Sequence, residues 1–141
     1  MKALDRDLLR ERTGVLEAHL TRIKETLPSD PRVFKRGTDR ADVVSFHLFL
    51  AIQLVLDLSV FACIHFGLQA PGSYDDALAR LAHAGRISDS VSERLENAAT
   101  FRDAFVHAFD ELDEGSVYRA AKALPEDLRQ FMADLAGQLE A

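Results

Sequence analysis

The stretch of sequence that decides the fold is VVSFHLFLAIQLVLDLSVFACIHF, residues 43–66. Eighteen of its 24 residues are apolar, so a helix formed here is apolar nearly all round its circumference. A helix of that kind is the expected centre of a helical bundle. We therefore predict a long central helix that begins at Asp39 or Asp42, where a carboxylate could cap it, and ends near Phe66.

A membrane span is the other structure that a segment of this length allows. Polar side chains lie inside the segment, however: His47, Gln53, Asp57 and His65. Neither flank has a clear anchoring pattern, and the segments on both sides are amphipathic enough to cover a central helix. The sequence therefore favours a buried helix, and no membrane association is expected.

Apolar residues recur at helical spacing on both sides of the central segment. They predict a first helix over Leu4–Leu27, which a turn containing Pro28 and Pro31 ends. Further helices are predicted at 73–83, from Ser88 or Ser90 to His107 or Ala108, at 116–123 and at 126–139. Pro125 either kinks the last helix or begins a new one.

These predicted elements define the fold class, because no strand pattern occurs anywhere along the chain. Residues 1–141 are predicted to form a single all-α domain. Its architecture would be an antiparallel up-down helical bundle of four to five main helices, with one short helix inserted.

Charge and composition limit the functions that the chain can have. The net charge is −6, which argues against broad, nonspecific affinity for nucleic acids. Four cations near the start form either a solvated loop or a docking patch for RNA or a protein partner: Arg32, Lys35, Arg36 and Arg40. Cys63 has no disulfide partner and the first residues lack an apolar signal core, so a cytoplasmic location is expected.

The sequence has no pattern typical of a metal or cofactor site. Its five histidines are scattered, no two of them have metal-binding spacing on one helix, and there is no second cysteine. There is also no glycine-rich phosphate loop. We expect neither a metal ion nor a cofactor.

The stretch FRDAFVH, residues 101–107, carries the candidate chemistry. On a helical wheel Arg102 lies in the middle of an apolar stripe, which is costly for a charged group unless it is paired or faces a wet cleft. Two resolutions are open: Arg102 pairs with Asp57, or this face forms a subunit interface around a polar groove.

His107 follows Arg102 by five residues and lies about 140° round an ideal helix from it. The two side chains can serve one phosphate only if the helix ends or distorts near His107, or if a second chain supplies part of the site. A guanidinium holds a phosphate and an imidazole moves a proton near neutral pH. That pair is sufficient for cutting RNA through its own 2′-hydroxyl, without a metal.

The segment Arg102-Asp103-x3-His107 resembles the R-polar-x(3–4)-H signature of HEPN domains, a group of helical RNases and their relatives. The stretch from Pro71 through Ser73-Tyr74 to Gly85 is similar to the P-x-S-Y-x-(E/D)-A segment and following glycine turn of the HepT-like toxin branch. An acidic turn at 110–113 and Val117-Tyr118 also fit that branch. The likeness covers roughly residues 40–139.

The resemblance implies a homodimer that acts as the toxin of a toxin–antitoxin pair, with a cognate minimal nucleotidyltransferase as the antitoxin. The implied activity is metal-independent endoribonuclease cleavage of RNA, and not of DNA, because the 2′-hydroxyl is the attacking group. His107 would be the general base and acid, Arg102 the phosphate-binding residue, and Asp103 a polar residue that orients the site.

Two other interpretations remain open at this stage. The first is a non-catalytic HEPN-like module that binds or regulates a partner nucleotidyltransferase. The second is a purely structural dimerisation bundle. The resemblance also has one departure: many HepT-like toxins carry a tyrosine two residues after the histidine, where the antitoxin attaches AMP. This chain has Phe109 there, which has no hydroxyl to modify.

Overall fold

Five α-helices make up most of residues 3–139, the part of the chain that the computed structural model describes. They are α1 (Arg6–Thr26), α2 (Asp39–His65), α3 (Tyr74–His83), α4 (Asp89–His107) and α5 (Glu114–Ala136). Short 3-10 turns occupy Pro31–Val33 and Phe109–Glu111, and no strand occurs in the described part. The all-α prediction is confirmed.

The central position of α2 follows from its apolar circumference. Helix α2 contacts each of the other four helices, while α1 and α4 both also pack against α5. The short helix α3 lies against α2 and α4 and is the inserted helix of the prediction. A single cluster of buried side chains draws residues from all five helices. Burial of this apolar surface is the main favourable term that holds the bundle together.

Each helix begins with a short polar side chain that accepts a hydrogen bond from a backbone N–H of the first turn: Asp5, Thr38, Ser73, Ser88 and Asp113. The prediction that Asp39 or Asp42 caps α2 is wrong, because the Thr38 hydroxyl takes that position. Both carboxylates instead lie in the first turn, where the helix dipole favours negative charge.

The last helix is continuous through Pro125. Proline removes one backbone hydrogen bond from a helix interior, which is why the sequence suggested a break or a kink there. Leu124 and Leu128, on either side of it, are both buried in the core. Their packing holds one helix across the proline. The helix also begins at Glu114, two residues before the predicted start at 116.

By length and composition α2 could cross a membrane, since its most apolar window has a mean hydropathy of 2.1. Half of that window is buried inside the bundle. The core helix of a helical bundle has the same apolar composition, so packing inside the bundle explains why the buried half of the window is apolar. Phe46 and Ile64 of α2 are 54% and 60% exposed, which leaves apolar side chains at the surface on one side of α2.

Candidate active site at the edge formed by α2 and α4

Arg102 lies at a cleft of about 310 Å³ between α2, α4 and the start of α3. The cleft is lined by Val60 on α2, by Ala99, Arg102 and Asp103 on α4, and by residues 71–75 at the α3 N-terminus. Its walls are therefore largely apolar or acidic, and Arg102 is the cation among the lining residues. An open cleft is one of the two settings that the helical wheel allowed for a charged residue in an apolar stripe, the other being a paired charge.

The guanidinium of Arg102 makes two hydrogen bonds and one contact with an aromatic ring. Its Nε donates to the side-chain oxygen of Gln53 at 3.0 Å, and its Nη1 donates to Asp103 at 3.1 Å. The guanidinium carbon lies 5.3 Å from the centre of the Tyr74 ring. That distance is within the range of a cation–π contact.

Arg102 does not pair with Asp57, which was one of the two resolutions that the sequence left open. Asp57 is exposed and is linked to Arg102 indirectly, through Gln53 one helical turn before it on α2 and through Tyr74, whose ring lies against the guanidinium. The Gln53 amide nitrogen donates to Asp57 at 2.9 Å and to the Tyr74 hydroxyl at 2.8 Å. The Tyr74 hydroxyl in turn donates to Asp57 at 2.9 Å. The partly buried guanidinium is thus paired with Asp103 and hydrogen-bonded to Gln53, and it makes no ion pair with Asp57.

Tyr74 takes part in this network as a donor. Burial raises the pKa of the Tyr74 hydroxyl, and the hydrogen bond that it donates to Asp57 raises it further. The hydroxyl therefore keeps its proton at neutral pH. Gln53 and Tyr74 are the two site residues whose roles the sequence did not reveal. The one sequence feature that could have pointed to Gln53 is the presence of its polar amide inside a largely apolar helix.

His107 is the last residue of α4 and is exposed. Its ring makes no hydrogen bond or ion pair with the rest of the described chain, and it does not line the cleft at Arg102. The helix ends at this residue, because Ala108 has φ −144° and ψ 41°. One chain therefore meets the expectation that the helix ends near His107, yet does not bring His107 into the Arg102 cleft.

The segment that follows His107 is anchored by Arg36. Its Nη1 donates to the carbonyl oxygens of Asp110 at 2.7 Å and Leu112 at 3.3 Å, and its Nη2 donates to that of Phe109 at 2.9 Å. The backbone N–H of Arg36 donates to Glu114 at 2.7 Å. One guanidinium thus fixes the 3-10 turn that begins two residues after His107.

The predicted basic cluster is in large part engaged within the chain. Arg32 pairs with Asp30, Lys35 lies 3.5 Å from Glu114, and Arg36 binds the turn after α4. Three of its four cations therefore already have intramolecular partners, and Arg40 is the exposed remainder. This distribution favours a structural use of the cluster over an open RNA-docking patch.

We expect Arg36→Ala to loosen the turn after His107. The backbone N–H groups of Glu111 and Leu112 close this turn by donating to Ala108 and Phe109. Loss of the Arg36 contacts should cost on the order of 1 kcal/mol locally, because these groups are accessible to water. Amide hydrogen exchange at Glu111 and Leu112 should become about fivefold faster.

The matched control is Arg32→Ala, which removes an arginine of the same loop whose guanidinium pairs with Asp30. Exchange at Glu111 and Leu112 should be unchanged in that variant. Equal exchange rates in Arg36→Ala and in the unmodified protein would show that Arg36 does not anchor the turn.

A mainly aromatic set of side chains, here called the aromatic edge, lies on α2, at the end of α4 and in the turn after it: Phe46, Phe49, Phe105, Val106 and Phe109. Phe49 of α2 stacks on Phe105 of α4 with 4.6 Å between ring centres, and Phe105 meets Phe109 edge-on at 5.0 Å. Phe46, Val106 and Phe109 are 54%, 45% and 43% exposed. The stacked rings, with Phe109 exposed at their end, form an apolar surface, and such surfaces are typical of an interaction site.

The remaining histidines form no metal centre in residues 3–139. His19 and His47 contact each other across α1 and α2 with 3.0 Å between their Nδ1 atoms. Burial, together with the neighbouring His47, lowers the pKa of His19. No group of three or more His, Cys, Asp or Glu residues is placed to hold a metal ion in that part of the chain.

The helical arrangement has the fold of HEPN toxins. It is similar to a solved structure of a tri-AMPylated HEPN toxin from Shewanella oneidensis in complex with an MNT antitoxin, with a TM-score of 0.83 and 22% identity over 94% of this chain and 98% of that one. It is also similar to the structure of YutE, a cytosolic protein of unknown function from Bacillus subtilis, with a TM-score of 0.80 and 22% identity over 98% of this chain and 92% of that one.

The sequence identifies the family. Residues 16–135 match the family model described as ribonuclease HepT-like, so this chain belongs to that family, as the sequence resemblance implied. The curated relative named putative RNase YutE, from Bacillus subtilis (strain 168), is 28% identical over 91 residues. That match covers 64% of this chain and 63% of the relative, so it spans less than two thirds of the relative's length.

Proposed function

We propose that this protein is the toxin of a toxin–antitoxin pair and that it acts as a metal-independent endoribonuclease. The observation that carries the proposal is the state of Arg102. Its guanidinium is fixed in an open cleft, and its Nη2 has no hydrogen-bond partner among the described residues. A preorganised cation of this kind suits the charge that builds up on a phosphate during cleavage.

The reaction follows from the residue types. Neutral His107 takes the proton of a ribose 2′-hydroxyl, and the 2′-oxygen attacks the adjacent phosphorus. The bond from phosphorus to the 5′-oxygen breaks, and the protonated histidine returns a proton to that oxygen. The products are a 2′,3′-cyclic phosphate and a free 5′-hydroxyl. Arg102 stabilises the nonbridging oxygens, and Asp103 orients Arg102 through its contact with Nη1.

A homodimer would complete this site. In one chain His107 does not line the Arg102 cleft, and the aromatic edge beside both residues is exposed. A two-fold pairing of the same surface on two chains would bury that edge and bring the end of one α4 towards its partner. The polar groove at a subunit interface that the sequence suggested corresponds to this arrangement.

The partner that we propose is a minimal nucleotidyltransferase antitoxin, because a similar fold is found in a HEPN toxin in complex with an MNT antitoxin. Phenylalanine has no hydroxyl, so AMP cannot be attached to residue 109 of this chain. We therefore propose that complex formation itself restrains the toxin. A cytoplasmic location, as described for YutE, suits both a toxin that acts on RNA and the unpaired Cys63.

A non-catalytic module that binds a nucleotidyltransferase is the second candidate. The acidity of the cleft favours this second candidate. Asp103 accepts a hydrogen bond from the Arg102 guanidinium, and Asp57 accepts one from Gln53, which itself binds Arg102. Such carboxylates oppose the approach of an anionic substrate.

The two candidates differ in a single assay. The purified protein is incubated with single-stranded RNA in excess EDTA, alongside the same sequence with 2′-deoxyribose at every position. We expect cleavage of the RNA alone, with 2′,3′-cyclic phosphate ends. Intact RNA, or cleavage that EDTA abolishes, would reject the proposed activity, and intact RNA combined with stable co-purification of a nucleotidyltransferase would support the second candidate.

A further inference from the structure

We propose that Gln53 is a positioning residue that fixes the Arg102 guanidinium so that a substrate phosphate binds end-on, through Nη1 and Nη2. The claim about phosphate rests on the proposed function of Arg102. The claim about positioning rests on contacts within one chain.

The guanidinium offers a phosphate two edges with paired N–H donors. One is the side edge, formed by Nε and Nη2, and the other is the end edge, formed by Nη1 and Nη2. Gln53 already accepts the hydrogen bond from Nε at 3.0 Å, so the side edge cannot bind a phosphate in bidentate fashion. Asp103 takes only one of the two N–H groups of Nη1, and Nη2 has no hydrogen-bond partner in residues 3–139. Each nitrogen of the end edge therefore keeps an N–H that no described residue accepts, whereas Nε of the side edge keeps none.

The orientation of the Gln53 amide is itself determined by its neighbours. Its nitrogen lies 2.9 Å from a carboxylate oxygen of Asp57, which can only accept, and 2.8 Å from the hydroxyl of Tyr74. The Tyr74 hydroxyl donates its proton to the same Asp57 oxygen, so it accepts from Gln53. With the nitrogen directed at these two groups, the carbonyl oxygen must face Arg102.

This closed network has a consequence for catalysis. A free arginine side chain has many rotamers, and binding a phosphate must order them. The Gln53 contact and the Tyr74 ring hold Arg102 in one orientation before any substrate arrives. Preorganisation of this kind strengthens binding of the phosphate without adding a contact to it.

The test variant is Gln53→Met, which keeps the length and helix propensity of the side chain and removes its hydrogen bonds. Gln130→Met is a matched control. Gln130 makes the same i to i+4 amide–carboxylate contact with Asp134, at 3.0 Å, but on α5 and away from the cleft. Tyr74→Phe removes one of the two acceptors that orient the Gln53 amide and should give an intermediate result.

The first measurement is independent of catalysis. The Nε–H signal of Arg102 in nitrogen-15 NMR spectra is assigned by its disappearance in Arg102→Lys. We expect its exchange with solvent to be slow in the unmodified protein and in Gln130→Met, and on the order of tenfold faster in Gln53→Met. Equal exchange in Gln53→Met would overturn the positioning role, whether or not the protein cleaves RNA.

The second measurement concerns the phosphate. The probe is an oligonucleotide of the same base sequence with 2′-deoxyribose at every position, which can bind through its phosphates but has no 2′-hydroxyl and cannot be cut. Its Kd should rise in Gln53→Met, and kcat/KM for the cleavable RNA should fall about 10-fold to 100-fold, while Gln130→Met leaves both unchanged. Unchanged values in Gln53→Met would reject the end-on binding mode. Absence of cleavage by the unmodified protein would instead reject the proposed function, and the NMR result would still stand.

Discussion

Arg102→Ala and His107→Ala are each expected to abolish measurable RNA cleavage without unfolding the protein. Removing a donor that stabilises the developing oxyanion typically costs 10²–10³ in rate, and removing a general base about 10²–10⁴. His107 is exposed and makes no hydrogen bond with the described residues, so its loss should change the free energy of unfolding by less than about 0.5 kcal/mol. The rates are measured on single-stranded RNA in EDTA, beside thermal unfolding of each variant.

Two controls are built into the chain. His65 is, like His107, an exposed histidine at the last position of its helix. Arg94 lies two turns before Arg102 on α4 and forms an ion pair with Asp127. His65→Ala and Arg94→Ala should both retain full activity. The Arg102 side chain is only 24% exposed, so its contacts could also stabilise the fold. A sharp drop in the melting temperature of Arg102→Ala would therefore support the purely structural interpretation of Arg102.

The fold could be predicted from the sequence because the strongest signals were long and redundant. An apolar segment such as 43–66 permits few structures, and the amphipathic segments around it supply surfaces that cover it. Two details were wrong: a helix break at Pro125 and the N-cap of α2. Pro125 lies between two buried leucines, and no local rule reports that packing. The N-cap of α2 depended on a choice among three neighbouring polar residues, each able to cap.

The candidate site was only partly predictable, for a related reason. The helical wheel correctly required a partner or a cleft for Arg102. It could not identify Gln53, which lies 49 positions away and becomes a neighbour only when α2 and α4 pack. Asp57 looked like the natural partner because opposite charges attract, but it faces solvent. Likewise, the anchoring role of Arg36 depends on a loop meeting a turn 73 to 76 positions away.

The proposed dimer makes a second strong prediction, namely that two inactive variants restore activity when combined. If each site uses Arg102 of one chain and His107 of its partner, a heterodimer of Arg102→Ala with His107→Ala keeps one site in which both residues are intact. The other site of the same heterodimer lacks both. Heterodimers selected through both tags should therefore have about half of the full activity, although each variant alone has almost none.

The experiment co-expresses the two variants with different affinity tags, measures the mass of the purified particle, and assays it on RNA. Sites contained within one chain cannot be repaired in this way, because every chain in the mixture carries a substitution. A control pairs His107→Ala with the double variant Arg102→Ala/His107→Ala, which leaves no histidine for any site. Recovery in the first mixture alone establishes a site shared between chains. Confirmed heterodimers without activity would contradict it, and the distance between His107 and the Arg102 cleft would then have to be closed within one chain, by a movement of the turn that Arg36 anchors.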